Sequence, residues 1–361
     1  MTTTIEWTDR TWNPTTGCDR VSVGCDNCYA LTLAKRLKSM GQPKYQRDGN
    51  PKTSGPGFGI SAHADVLAAP YTWKTPQKVF VNSMSDLFHD GVPEEFIARV
   101  WTVMANTPQH TYQILSKRHA RMRSIVRRLA WRTATTEERQ RGVRGSVAYV
   151  QPDEKLNDHL GAPHVLPNVW LGVSVENQQW ADIRITALLD TPASVRWISA
   201  EPLLGPIDLF GPIVDGHRPK LTYWLDGRPG WGNERTTSTG LTMTEPVTGP
   251  RLDWVVAGGE SGPGARPAHP DWFRRLRDQC QIAGVPFLFK QRGEYTWQAG
   301  SGWREPDLYV SDVTGQSLPE HEVLATGSWQ GVWRVGKKRA GRDLDERTWD
   351  EYPTPATAGA R

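Results

Sequence analysis

The sequence lacks any apolar run that approaches the ~20 residues needed to cross a bilayer. Its first residues, MTTTIEWTDRTWNP, contain no basic segment followed by an apolar one. We therefore expect a cytoplasmic protein with no membrane partner. The chain also lacks a strong excess of charge, since its formal net charge is +4 over 361 residues. That balance is compatible with an anionic partner but does not require one.

Cysteine is scarce, because the chain contains only 4. Three of them, Cys18, Cys25 and Cys28, fall within one short segment. Disulfides are rare in the cytosol, so clustered thiols indicate a metal site or redox chemistry. Cys280 lies inside the helical pattern RRLRDQCQIAGV, and we interpret it as a core residue.

Apolar runs that read as strands alternate with amphipathic segments that read as helices, the first of which follows the clustered cysteines. Such alternation predicts parallel strands joined by right-handed crossovers. The sequence therefore predicts an α/β fold, a partial or complete (β/α) barrel. The expected strands are an element near the N-terminus and then the segments 78–83, 111–117, 169–176, 195–202, 252–261 and 286–291.

The alternation also divides the chain. We expect a barrel domain over residues 1–293 and a C-terminal extension over 294–361, where the alternation stops. Two stretches interrupt the barrel pattern, an arginine-rich and then polar segment at about 132–168 and a segment rich in Gly, Thr and Pro at about 213–250. We expect both to be loop insertions.

Each predicted strand ends in small or polar residues. In a parallel α/β fold, the carboxyl ends of the strands meet on one face, where ligands bind. The sequence therefore predicts a polar rim for a hydrophilic ligand. Residues at these strand ends include Ser83, Ser85, Asp86, Lys117, Ser174, Glu176, Glu201, Gly258, Gly259, Glu260 and Lys290.

The cysteine spacing, Cys-x6-Cys-x2-Cys, has two interpretations. A structural zinc site takes four ligands, usually as two pairs, and only one Cys-x2-Cys pair is present. A [4Fe–4S] cluster bound by three cysteines leaves one iron open to another ligand, which would turn an electron carrier into a reaction centre. A sugar- or phosphate-processing barrel without metal would leave the cysteines unexplained.

Three cysteines in an N-terminal loop ahead of a helix and βα repeats resemble the radical S-adenosylmethionine superfamily. The usual spacing there is Cys-x3-Cys-x2-Cys, whereas the first gap here is six residues and the aromatic Tyr29 follows the last cysteine. Ser-Met-Ser-Asp at 83–86, Leu-Ser-Lys at 115–117 and Gly-Val-Ser-Val at 172–175 resemble motifs of spore-photoproduct-lyase-like members.

The chain also resembles a phage and bacterial family of unassigned function that takes its name from a three-cysteine motif. The resemblance spans most of the chain. It rests on Trp-Asn-Pro-Thr-Thr-Gly-Cys at 12–18, Ser-Ala-Glu-Pro-Leu-Leu-Gly-Pro-Ile at 199–207, Gly-Gly-Glu-Ser-Gly-Pro-Gly-Ala-Arg-Pro at 258–267 and Arg-Val-Gly-Lys-Lys at 334–338.

The superfamily resemblance implies an enzyme that uses a [4Fe–4S] cluster and S-adenosyl-L-methionine to make a 5′-deoxyadenosyl radical. It implies a reductant partner of the flavodoxin or ferredoxin type. Cys18, Cys25 and Cys28 would bind the cluster. Cofactor-binding residues would be Ser83, Ser85, Asp86, Ser174, Glu176, Gly258, Gly259 and Glu260, and catalytic residues would be Glu201 and Lys117.

Nucleic acid is one candidate partner, since arginines neutralise phosphates and aromatic side chains stack on bases. Residues 118–144 contain nine arginines, and the chain has 17 tryptophans. The competing interpretation is a solvated basic helix and a core rich in tryptophan, including Trp101, Trp170, Trp197 and Trp254. A second hypothesis for the whole chain is a non-catalytic barrel, stabilised by a metal or cluster, that binds a partner or nucleic acid.

Overall fold

The structure is a computed structural model, and it describes most of the chain. The described residues are Thr3, 5–133, Thr136, 147–150, 165–210, 224–227, 229–236, 242–300, 304–323 and 327–354. Most of the predicted insertion at 132–168 and part of the one at 213–250 lie outside these residues. Of these insertions the structure gives two hairpins, Ala130–Thr133 with Val147–Val150 and Pro229–Thr236 with Thr242–Thr248.

The centre of the fold is a seven-stranded parallel sheet whose spatial order follows the chain order. The crossover connections between parallel strands are right-handed. Because the strands follow one another in chain order, all the connecting segments lie on the same side of the sheet, and the sheet can curl towards a barrel. The sheet forms a half barrel, which agrees with the partial form of the predicted α/β barrel. Its strands are β1 (Arg10–Trp12), β2 (Lys78–Val81), β3 (Thr111–Ser116), β4 (Val169–Ser174), β5 (Val195–Ala200), β6 (Trp254–Gly258) and β7 (Phe287–Gln291).

Helices follow the strands with clear local signals. Asn177 caps one helix by accepting a hydrogen bond from the Trp180 backbone N–H, and Gly284 ends another in the left-handed region at φ 64°. The helix in the arginine-rich segment ends at Val126, and the chain forms a strand from Ala130. The helices are α1 (Tyr29–Ser39), α2 (Glu94–Ala105), α3 (His119–Val126), α4 (Gln178–Leu189), α5 (Pro270–Ala283) and α6 (Lys337–Ala340).

Two apolar clusters cover the two faces of the sheet, because successive strand residues alternate between faces. The larger cluster packs the outer face against the helices. The inner, concave cluster is built on tryptophans: the Trp197 ring lies 5.2 Å from Trp7 and 5.4 Å from Trp254. The predicted tryptophan core is therefore confirmed, with Trp101 and Trp170 also buried.

The residues after β7 form a small antiparallel sheet in the order β8-β11-β9-β10. Beyond it, the chain returns to the exposed edge of β7, where the Phe289 N–H donates to the Trp349 carbonyl at 3.0 Å. Covering an edge strand in this way satisfies its unpaired backbone groups. The strands are β8 (Tyr295–Thr296), β9 (Leu308–Ser311), β10 (Ser317–Leu318) and β11 (Trp329–Arg334).

The described residues also contain short 3-10 helices and two further pairs of short strands. They join Thr15–Thr16 to Ser61–Ala62 and Asp343–Leu344 to Arg347–Thr348. Among the described residues, no helix has both the length and the apolar character that a membrane crossing needs.

Candidate functional site

A cavity of about 470 Å³ lies at the carboxyl ends of the strands, beneath the loop that carries the three cysteines. Its size is typical of small-molecule sites. Two of the predicted site residues, Glu176 and Gly258, are not part of its lining. The others all line it: Cys18, Cys25, Cys28, Ser83, Ser85, Asp86, Lys117, Ser174, Glu201, Gly259 and Glu260.

The polar residues of the cavity wall lie on the same strands as the inner apolar cluster and on the same face of the sheet. Trp197 belongs to the inner tryptophan cluster, and Ser199 and Glu201 follow it at spacings of two into the cavity. On β7, Leu288 belongs to the same cluster and Lys290 follows it. The period of two therefore places apolar residues at the floor and polar residues at the mouth.

The loop at residues 17–28, here called the cysteine loop, begins beside β2. The Gly17 N–H donates to the Met84 carbonyl at 3.0 Å, and Gly17 pairs with Ser85 in an isolated bridge. Gly17 has φ +90°, and a Cβ there would lie 2.4 Å from the Gly59 carbonyl oxygen. This position therefore requires glycine to let the loop turn over the cavity.

The three cysteines are half-buried and converge on the cavity, whereas Cys280 is buried within α5. Burial first, and then the nearby Asp86 carboxylate, raises the pKa of Cys18 to about 12. Burial also raises the pKa of Cys28. Within the described part of the chain, no three His, Cys, Asp or Glu side chains are placed to hold a metal ion.

The middle of the cysteine loop rests on a buried ion pair. The Ser22 hydroxyl donates to the Glu176 carboxylate at 2.7 Å. Arg184 of α4 donates to the other Glu176 oxygen at 2.8 Å, and both of these charged side chains are 0% exposed. Lys117 lies 3.5 Å from Glu176. A Cβ on Gly24 would fall 2.4 Å from the Glu176 side chain, so the loop packs directly on this glutamate.

Asp86 organises the cavity wall between β2 and β3. Its carboxylate accepts hydrogen bonds from the Ser116 hydroxyl at 2.9 Å and from the Lys117 N–H at 2.9 Å. The neighbouring Ser83 N–H donates to the Asn13 side chain at 2.7 Å. The Asp86 oxygens are therefore engaged within the protein. Lys117 lines the cavity, and its ammonium group lies 3.5 Å from Glu176.

Glu201, which follows β5, forms a second ion pair with Lys290 of β7. Lys290 donates to both of its oxygens, at 2.8 and 3.0 Å, and the Gln291 amide donates at 2.9 Å. The two charged side chains are 17% and 15% exposed, so the pair faces the cavity. A ligand in the cavity would meet this carboxylate and this ammonium group together.

Glu260 lies where the cysteine loop meets the loop after β6. Its carboxylate accepts hydrogen bonds from Arg266 and from the Asn27 amide at 3.0 Å. Burial alone would raise the pKa of Glu260, but the hydrogen bonds from Arg266 and Asn27 outweigh it and lower that pKa. Glu260 is therefore a carboxylate fixed by its own chain.

Some residues of the site were given no role from the sequence. Among the described residues, the buried carbonyl oxygens Asn82 Oδ1 and Gln291 Oε1 have no hydrogen-bond partner, and both side chains line the cavity. Arg184 was missed as well. The sequence feature that could have identified it is its spacing, because Arg184 lies on the same face of α4 as the buried Ala181 and Leu188. Sequence spacing alone could not show that Asn27 contacts Glu260, 233 residues away.

The basic segment predicted at 118–144 is only partly described. Arg121 donates to two backbone carbonyls, Arg123 lies 3.4 Å from Asp190, and Arg128 lies 2.9 Å from Glu94. These arginines are engaged with the protein. Arg139, Arg141 and Arg144 lie outside the described residues.

Comparison with known proteins gives one match. A protein family described as "Protein of unknown function (DUF5131)" matches residues 2–353 of the chain. No curated protein and no solved structure matches. The match spans the half barrel, the cysteine loop and the small C-terminal sheet together.

Proposed function

The chain belongs to the DUF5131 family of proteins of unknown function, and we propose that it is a radical S-adenosyl-L-methionine enzyme that binds one [4Fe–4S] cluster. One observation carries this proposal. Three thiols from one loop and the polar ends of the half-barrel strands line the same cavity. The loop therefore brings three thiols and a polar wall to one cavity.

We propose a cluster and not a single ion because three thiolates would leave one iron of a cluster open to another ligand. The ligands of one zinc ion all lie about 2.3 Å from it, so they must crowd together. Among the described residues, no group of three His, Cys, Asp or Glu side chains is placed to hold a metal ion, which supports neither kind of site over the other. An iron–sulfur cluster is larger and takes thiolates from around its surface. Cys18, Cys25 and Cys28 would hold it by three irons and leave one iron open.

When bound, the cluster supplies one-electron cleavage of S-adenosyl-L-methionine to a 5′-deoxyadenosyl radical. The chain's own residues would bind and orient the ligands. The free oxygens of Asn82 and Gln291 accept hydrogen bonds from amino or hydroxyl groups. Lys117 offers a positive charge to a carboxylate, and the cysteine loop above them excludes water from the reaction.

The Glu201–Lys290 pair is the best candidate for substrate contact, because both charged side chains line the cavity and stay partly exposed. The reductant would be a protein of the flavodoxin or ferredoxin type, in the cytoplasm. Nucleic acid is the substrate class that the spore-photoproduct-lyase-like motifs favour. A non-catalytic metal-stabilised module remains the competing function, and the experiment below separates the two.

The test is anaerobic purification with iron and acid-labile sulfide measured per chain, followed by reduction with dithionite in the presence of S-adenosyl-L-methionine. We expect about four irons and four sulfides per chain, a reduced-state electron paramagnetic resonance signal, and release of methionine and 5′-deoxyadenosine. Cys25→Ala should lose most of the iron.

Cys280→Ala is the matched control, because this cysteine is buried within α5 and is not part of the cavity lining. It should keep the iron content of the parent protein. One zinc per chain with no cleavage of S-adenosyl-L-methionine would refute the enzyme and support the binding module. Equal loss of iron in Cys280→Ala and Cys25→Ala would refute the assignment of the ligands.

A further inference from the structure

We propose that Arg266 is a positioning residue that latches the cysteine loop across the mouth of the half barrel, and that Glu260 serves this latch. The inference concerns the site of the proposed function. Its main test uses iron-free protein, so the latch and the cluster can fail separately.

Arg266 reaches two elements at once. It lies in the loop after β6 and binds Glu260 of that loop through Nε at 2.8 Å and Nη2 at 2.6 Å. The same Nη2 donates to the Val23 carbonyl at 2.9 Å, and Nη1 lies 3.3 Å from the Asp26 carboxylate. Val23 and Asp26 flank Cys25, so one guanidinium group connects the segment around this cysteine to the loop after β6.

Asn27 makes the second half of the latch. Its amide donates to Glu260 at 3.0 Å and to the Gly264 carbonyl at 2.8 Å. Gly264 has φ +79°, and a Cβ there would lie 3.0 Å from the Asn27 side chain. Because Asn27 immediately precedes Cys28, the latch holds the segment between the last two cysteines from both ends.

Glu260 is nearly saturated by these contacts. A carboxylate has about four acceptor sites. The Arg266 N–H and Nε and the Asn27 amide all donate to Oε2, and Arg266 Nη2 donates to Oε1. The Glu260 side chain is only 5% exposed. It is therefore better suited to fix the loop than to bind the amino group of a ligand.

The arginine fork is essential to this geometry. Lysine carries one compact ammonium group and cannot bind a carboxylate in two places while also reaching a carbonyl in another loop. Arg266→Lys should therefore keep an ion pair with Glu260 and lose the contact with Val23. This separates the latch from a role in stability alone.

The experiment is alkylation of the iron-free, reduced full chain with iodoacetamide, with the modification of Cys25 and Cys28 followed by mass spectrometry. In Arg266→Gln both thiols should react about tenfold faster than in the parent protein, because hydrogen bonds to charged groups hold the closed loop. Arg266→Lys should unfold at the parent temperature and still react faster. In Arg275→Gln, which breaks the pair that Arg275 of α5 forms with Asp312 at 3.3 Å, the rate should be unchanged.

Rates within twofold of the parent in a folded Arg266→Gln protein would overturn the latch, as would full protection in Arg266→Lys. If Arg266→Gln does not fold, Asn27→Ala removes only the second half of the latch and should also speed alkylation. Iron uptake is measured separately. A parent protein that binds no iron but shows the alkylation pattern would refute the proposed function and leave the latch supported.

Discussion

The buried pair of Glu176 and Arg184 offers a sharp test of how the cavity is built. Replacing Arg184 by methionine keeps an unbranched side chain of similar length in α4 and removes the charge. Arg184 also donates to the Ser174 carbonyl at 2.7 Å, so the substitution removes two hydrogen bonds. It leaves the Glu176 carboxylate buried, 0% exposed, without its closest cation.

Breaking a buried ion pair on one side costs about 3–5 kcal/mol, because a charge stays buried without compensation. Two groups reduce that cost here. The Ser22 hydroxyl still donates to Glu176, and Lys117 lies 3.5 Å away. We therefore expect Arg184→Met to lower the free energy of unfolding by about 3 kcal/mol, at the low end of the range.

The assay is urea unfolding followed by circular dichroism, with the double variant Glu176→Gln/Arg184→Met as the matched control. The double variant removes the orphaned charge, so it should recover at least about 1 kcal/mol relative to Arg184→Met. A cost below about 1 kcal/mol in the single variant would refute the argument, since it would mean that Glu176 does not need its arginine. So would a double variant that is less stable than the single one.

Two further predictions concern packing and pH. Gly172 of β4 faces Trp197, and a Cβ there would lie 2.4 Å from the indole. Gly172→Ala should therefore lower the free energy of unfolding by about 1–3 kcal/mol, measured by urea unfolding. Unchanged stability would contradict the tight packing of the inner core. Asp345 has its pKa lowered to about 2, chiefly by hydrogen bonds from Arg274, and its side chain is 39% exposed. The Asp345 ion pair contributes about 0.5–1 kcal/mol to the free energy of unfolding, as expected for so exposed a pair. This contribution is present above 3.8, the pKa of Asp345 in the unfolded chain, and is lost as the pH falls towards 2. Asp345→Asn, which tolerates φ 53°, should therefore be less stable than the parent at pH 7 and equal to it near pH 2; a difference that persists at pH 2 would contradict this sign.

The polar rim could be predicted because the period of two along a strand fixes the face to which each side chain points. Once the run around Trp197 reads as a strand, Ser199 and Glu201 must point the same way, and parallel strands bring such ends together. The half barrel follows from the same alternation of strands and helices. The first strand was harder, since Arg10–Trp12 has only 3 residues and no apolar run marks it.

The contacts that decide the role of each residue lie beyond sequence patterns. Glu176 and Glu260 look alike as carboxylates at strand ends. In the structure one is buried against Arg184 and the other is held by Arg266. Both partners come from the following segment of chain, and only tertiary packing selects them from the many charged residues available. Sequence spacing predicts where polar groups gather, whereas their hydrogen bonds determine which of them are free for a ligand.

The six-residue gap between the first two cysteines has a physical reason in this arrangement. Asp19 must reach His89 beside β2, where the two side chains lie 2.9 Å apart. Ser22 must reach Glu176 at the end of β4, two strands across the sheet, and Gly24 then passes against the same glutamate. A three-residue gap, usual in the superfamily that the motif resembles, could not hold both anchors and the glycine. Among the described residues, no strand closes the half barrel by joining its two edges. The longer gap therefore lets the cysteine loop cover this open half barrel and hold its thiols at the cavity.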